Sequence, residues 1–165
     1  MSEPDFGAVD EYIAELLVED DPALKAALAA SEAAGLPRIN LAPNQGKLPM
    51  LLAQAIGARK ILEIGTLAGY STIWLARALP PGGHLVTLEA NPSYAKVAYA
   101  NIASAGLSSV VEIRVGRAVD TLPGLAEKGP FDLIFIDADK LGTPNYFQWA
   151  VCAARLSHHR GQCRP

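Results

Sequence analysis

Two cysteines, three histidines and two tryptophans are all that the 165 residues contain of those types. Cys152 and Cys163 are too few and too late in the chain to frame a disulfide scaffold, which fits a reducing compartment. His158 and His159 are adjacent, but nothing at ligand spacing joins them, so no histidine metal centre is expected. No apolar run approaches the roughly 18 residues of a membrane span, and the acidic N-terminus carries no signal-peptide pattern. The net charge of −3 offers no basic excess to attract nucleic acid or an anionic membrane. Neither partner is expected, and a cytoplasmic location is. There is no internal repeat and no low-complexity tract. The rest is ordinary for one globular domain with a real core: half the residues are hydrophobic and 19% are charged.

The most informative stretch is Ile61-Leu62-Glu63-Ile64-Gly65-Thr66-Leu67-Ala68-Gly69-Tyr70-Ser71. Its apolar first half reads as a buried strand, and its second half as a glycine turn entering a helix. Such a turn aims backbone N–H groups at whatever lies above the carboxyl end of the sheet. A dinucleotide fingerprint, G-x-G-x-x-G, is missing: Leu67 stands where the second glycine would admit a pyrophosphate. No G-K-[ST] follows either, so a phosphate-cradling loop is not expected. A cofactor with a nucleoside but no phosphate remains, beside the plainer reading of an ordinary strand–turn–helix. Glu63, near the end of the strand, suits an ammonium group or a water network.

Before about Arg59 the pattern is helical. Phe6, Val9, Ile13, Leu16 and Leu17 keep helical spacing, and Asp21-Pro22 is an N-cap followed by a first-turn proline. Gly35 suits the position after that helix. A third helix is expected from about Asn44 to Ile56, with Pro49 kinking it or delaying its start. From Lys60 onward, strands and helices alternate: strands at 60–64, 84–89, 110–115 and 131–137, with a short broken helix at 121–127. This alternation predicts a doubly wound, Rossmann-like parallel sheet. One domain is expected, with a helical cap at 1–57, an α/β core at 58–150 and an aberrant tail at 151–165.

Carboxylates mark the strand ends. Glu89 closes the second strand, 26 residues after Glu63, where an acid can accept both hydroxyls of a ribose. Asp137 closes the fourth, and Asp137-Ala138-Asp139-Lys140 offers two hard oxygen ligands and an amine at the crevice, or simply a salt-bridged loop.

Taken together, these residues resemble the metal-dependent class I O-methyltransferases, the family of caffeoyl-CoA and catechol O-methyltransferases and their bacterial relatives. The resemblance is carried by Asn44-Gln45-Gly46-Lys47, the turn at Leu62–Gly65 with Gly69-Tyr70-Ser71, Glu89, Gly106, Gly116 with Ala118, and above all Phe131–Lys140. It implies the class I methyltransferase fold and S-adenosylmethionine as cofactor. Glu63, Gly65 and Ser71 would hold the amino-acid end of the cofactor, Glu89 the ribose, Ala118 would lie by the adenine, and Leu41 would cover it. Asp137 would lie at the cofactor and ligate a divalent cation, usually magnesium. Lys140 would be the catalytic base, with Asp137 as its partner in catalysis. The acceptor would be a small molecule with a phenolic or catechol-like hydroxyl.

The family continues for about fifty residues past this point, with further strands and an Asp-Asn pair that completes the metal site. Here four strands in the order 3-2-1-4 are expected, without the C-terminal ones, and with an apolar edge on the fourth that invites pairing, including in a homodimer. The metal site would be incomplete. An O-methyltransferase and a non-catalytic remnant that at most binds S-adenosylmethionine therefore stand as alternatives. A nicotinamide-dependent oxidoreductase is a weaker third, against which Leu67 argues. The tail reads as a reading-frame shift: codons for His158–Pro165 taken one base later permit Thr-Ile-Val-Asp-Asn-Val-Val, which resembles the missing strand and its Asp-Asn.

Overall fold

The computed structural model describes residues 6–156, the last three by backbone alone. Three helices precede the first strand: α1 (Phe6–Leu17), α2 (Pro22–Ala33) and α3 (Pro43–Ala55). The start of α2 follows from its sequence. One carboxylate oxygen of Asp21 accepts the N–H groups of Ala23 and Leu24 at 2.9 and 3.1 Å, and Pro22 fills the first turn, where no N–H is needed. The other oxygen pairs with Arg77, which ties this helix to the core. Pro49 neither delays nor ends α3, which begins at Pro43 and runs through it. The proline is buried, and its ring contributes apolar burial that offsets the lost backbone bond.

The sheet is parallel. Its strands are β1 (Lys60–Ile64), β2 (His84–Glu89), β3 (Val111–Val115) and β4 (Leu133–Ile136), in the order β3-β2-β1-β4 that the family resemblance implies. β4 is shorter than its apolar run. Backbone bonding to β1 nevertheless continues at both ends, from the N–H of Asp132 to Lys60 and from the N–H of Asp137 to Ile64. The side chain of Asp132 also accepts the N–H groups of Arg59 and Lys60, which fixes where β1 begins. Between β3 and β4 the expected single broken helix is α6 (Ala118–Thr121) followed by a 3-10 segment, Leu122–Lys128. Pro123 lies in the first turn of that segment, where its missing N–H costs nothing.

Helices α4 (Tyr70–Arg77) and α5 (Pro92–Ser104) cover one face of the sheet, with α2 outside them. α7 (Thr143–Leu156) and the 3-10 segment cover the other. The period of two along β1 assigns its residues to these faces. Leu62 and Ile64 join Leu122, Leu125 and Tyr146, while Ile61 joins Leu75 and Ala53. Glu63 shares the face of Ile61, under α4. No helix among the described residues is long and apolar enough to cross a membrane. The expected shifted-frame tail, His158–Pro165, lies outside the described residues.

The double use of Asp21 gives a stability prediction. The Arg77 guanidinium holds the Asp21 carboxyl below its usual pKa, against the opposing effect of burial. A carboxyl depressed on folding stabilises the protein above its unfolded pKa, and that stability fades as pH falls through the folded value. Asp21→Ala should cost about 1–2 kcal/mol in urea unfolding at pH 7. The difference from the parent should shrink as pH falls below 3.8.

Candidate functional site

The site is built at the carboxyl end of the sheet, where three turns converge. Gly65 leaves β1 with φ +103°, and a Cβ there would collide with the carbonyl oxygen of Asp137 at the end of β4. Only glycine permits this approach. Leu67 follows with φ +50°, a left-handed conformation that leucine seldom adopts. Its N–H donates to one oxygen of Glu89 at 2.8 Å, and the other oxygen of Glu89 accepts the N–H of Asn91 at 2.9 Å. Glu89 thus fastens the β1–α4 turn to the β2–α5 turn. From α5, the buried Asn101 donates to the carbonyl of Ala68 at 2.9 Å and holds the same turn from behind.

These turns enclose a cavity of about 520 Å³. That is ample for a nucleoside-sized ligand. Leu41, Gly65, Ser71, Glu89, Ala118, Asp137 and Lys140 all line it. Glu63 does not: it is fully buried behind the wall. The cavity also takes Tyr94 and Tyr146, two tyrosines that were not singled out from the sequence, together with Tyr70, Thr66 and Ala90. Ala90 and Tyr94 follow Glu89 closely, so their place after a ribose-type acid was the signal available. Nothing in the spacing of Tyr146 pointed here.

The two strand-end glutamates differ in environment. Glu89 is satisfied by backbone donors and keeps spare lone pairs toward the cavity. Glu63 is desolvated. Thr72 and Thr87 donate to its Oε2 at 2.5 and 2.7 Å, while Oε1 has no partner. Burial raises its pKa to about 7, although the surrounding hydroxyls of Ser71, Thr72 and Thr87 pull it back, and Asp137 adds a smaller upward push. Ser71 exerts this pull without reaching hydrogen-bond geometry.

The Asp137–Lys140 segment divides its carboxylates between tasks. Asp139 accepts the N–H of Gly142 at 2.5 Å and the Tyr146 hydroxyl at 2.7 Å, which hold its carboxyl below the usual range. It serves as a clamp between this loop and α7. The clamp leaves Asp137 with an uncommitted side chain on the cavity, beside the exposed amine of Lys140. Among the described residues no three His, Cys, Asp or Glu side chains gather into a metal site. One free carboxylate does not satisfy magnesium, which takes near-octahedral oxygen coordination, so the donor set described does not by itself fit the metal.

Asn44-Gln45-Gly46-Lys47 lies outside the cavity and acts as a latch. Asn44 and Gln45 donate to the two oxygens of Asp10 in α1 at 2.8 and 3.2 Å, and Lys47 donates to the carbonyl of Leu17. Gly46 lies so close to the indole of Trp74 in α4 that a side chain would not fit. The segment that precedes the latch, Ile39–Leu41, lines the cavity.

A family model described as O-methyltransferase matches residues 14–156. The chain is 57% identical over 152 residues to a catechol O-methyltransferase of Niastella koreensis, covering 91% of this chain and 69% of that one. Among solved structures, an O-methyltransferase from Bacillus cereus in complex with S-adenosylhomocysteine is 50% identical, with a TM-score of 0.86 over 90% of this chain and 68% of that one. The O-methyltransferase TomG from Streptomyces achromogenes, in complex with S-adenosylmethionine, is 49% identical, with a TM-score of 0.86 over 94% and 71%. The chain spans about two thirds of the length of these proteins. Its parallel sheet, its strand-end cavity and these matches agree, and the chain belongs to the O-methyltransferase family.

Proposed function

We propose that the cavity binds S-adenosylmethionine and that the protein transfers its methyl group to a hydroxyl of a small phenolic or catechol-like acceptor. The observation that carries this is the convergence on one cavity of Gly65, Ser71, Glu89, Asp137 and Lys140, drawn from three separate strand ends. The relatives in complex with S-adenosylmethionine and S-adenosylhomocysteine, and the catechol O-methyltransferase relative, support it.

When bound, the cofactor supplies an electrophilic methyl on a sulfonium. The protein's part is placement. Glu89 accepts the ribose hydroxyls with lone pairs left over from Leu67 and Asn91. The N-terminus of α4, with Ser71 in its first turn, faces the cofactor's carboxylate, as helix N-termini favour anions. Ala118 and Tyr94, both on the cavity wall, would lie by the base, and Leu41 would cover it. Lys140 takes the acceptor's proton as the oxygen attacks, and the Asp139–Tyr146 clamp fixes the loop that carries it. In-line orientation of oxygen, carbon and sulfur supplies most of the rate. Metal assistance enters this reading through Asp137 as one ligand, and no step is derived through the metal.

Transfer of labelled methyl to catechol, with magnesium and with a chelator, is the direct test. Labelled product is expected, and its loss with the chelator would establish metal assistance. Tight binding of S-adenosylhomocysteine with no transfer to any phenol would establish the non-catalytic alternative instead. Glu89→Ala should weaken S-adenosylhomocysteine binding by about 1.5–3 kcal/mol, since bonds to a charged acceptor are lost. Calorimetry that finds equal affinity for variant and parent would remove Glu89 from the ribose site.

A further inference from the structure

Glu63 is buried behind the cavity, yet a hydrogen-bonded path leads from it to the cavity wall. Thr87 donates its hydroxyl proton to Glu63 Oε2 at 2.7 Å. The oxygen of Thr87 lies 2.6 Å from that of Thr66, which lines the cavity. A hydroxyl has one proton to give. Thr87 has used its own on Glu63, so the second bond takes its proton from Thr66. Thr66 then keeps only lone pairs for anything further. The relay runs one way, and its cavity end is an acceptor. Thr66, Thr87, Thr72 and Glu63 are all essentially inaccessible to water, so little screens the carboxylate from the cavity.

A second observation is the empty side of Glu63. Oε1 is buried with no partner, an expensive arrangement for a carboxylate but a milder one for a protonated carboxyl. The neighbours contributed by α4 and β2, namely Ser71, Thr72 and Thr87, are all neutral. The charge among the main influences on Glu63 is that of Asp137, just past the end of β4, and it is also negative. Among the described residues, the groups against Glu63 are hydroxyls and a like charge, and none of them is a cation. A cation in the cavity would compensate a charge on Glu63.

Resting on the reading that this cavity takes S-adenosylmethionine, we propose that Glu63 is a specificity-determining residue that separates the cationic cofactor from its neutral product. At the acid end of the range, below pH 7, the free protein holds Glu63 mostly protonated. Entry of S-adenosylmethionine, net charge +1, breaks the carboxyl O–H bond, releases the proton to solvent and leaves an anion facing the cation through the Thr87–Thr66 relay. S-adenosylhomocysteine, with no sulfonium, leaves the proton in place. Glu63 thereby favours exchange of spent product for fresh cofactor.

Titration calorimetry with each ligand, between pH 5.5 and 7.0, tests this without turnover, and the ligands' own amino groups stay protonated in that range. The affinity ratio of S-adenosylmethionine to S-adenosylhomocysteine should rise about tenfold across it. Buffers of different ionisation enthalpy should show proton release with the first ligand and much less with the second. Glu63→Gln should flatten the ratio. Thr66→Val keeps the Glu63–Thr87 bond but cuts the relay, and should flatten it too; a purely structural role would lower both affinities together. Should Glu63→Gln fail to fold, Thr66→Val and the parent decide the matter. Binding of both ligands with a ratio that does not move with pH overturns the proposal, as does a pH dependence that survives either substitution. Failure of both ligands to bind the parent at any pH overturns the cofactor reading, and this proposal with it.

Discussion

The approach of Gly65 to the Asp137 carbonyl is the constraint on which the site depends. β1 and β4 are neighbours in a parallel sheet, and their last residues must turn away from it side by side. With no Cβ on Gly65 the two turns touch, and the β1 turn is free to curl back toward β2. There it meets Glu89, which takes the N–H of Leu67 and steadies a backbone conformation that leucine avoids. The adenosyl and reacting ends of the proposed site are thereby tied together by one close main-chain approach and by the Glu89 carboxylate. A side chain at position 65 would push Asp137 and Lys140 away from the rest.

The acids of this region have three different fates, set by what surrounds each. Glu89 has two backbone donors and opens onto the cavity. Asp139 has a backbone donor and a tyrosine, and holds a loop. Glu63 has hydroxyl donors on one oxygen, nothing on the other and no water. A carboxylate at a strand end is therefore not one kind of object. The donors available within hydrogen-bond reach decide whether it binds, clamps or stores a proton.

The helical cap is coupled to the cavity more closely than a cover would need to be. Asp10 joins Asn44 and Gln45, Gly46 rests on Trp74, and the segment leading into α3 forms part of the mouth. Arg77, at the far end of α4, returns to Asp21 at the start of α2. Two of these ties, Gly46 on Trp74 and Arg77 to Asp21, run between the cap and α4, the helix that begins at the glycine turn.

Much of this was decided by the sequence itself. Local signals carry their own physics: Asp21-Pro22 caps a helix, apolar runs bounded by glycines make buried strands, and alternating strands and helices admit few arrangements besides a doubly wound sheet. The placement of Glu89 and Asp137 at strand ends above one crevice followed from that, while the strand order came from the family resemblance. What only the tertiary structure decided concerns groups whose partners are distant in the chain. Pro49 continues a helix because its neighbours bury it. Asp139 became a clamp because Tyr146 comes round on α7. Glu63 lies behind the wall instead of in it, because the strand's period of two turns its side chain under α4, toward Thr72 and Thr87. A sequence gives a residue's type and its local conformation. Whether its charge meets water, a hydroxyl or a cation depends on contacts made across the sheet, which no local pattern encodes.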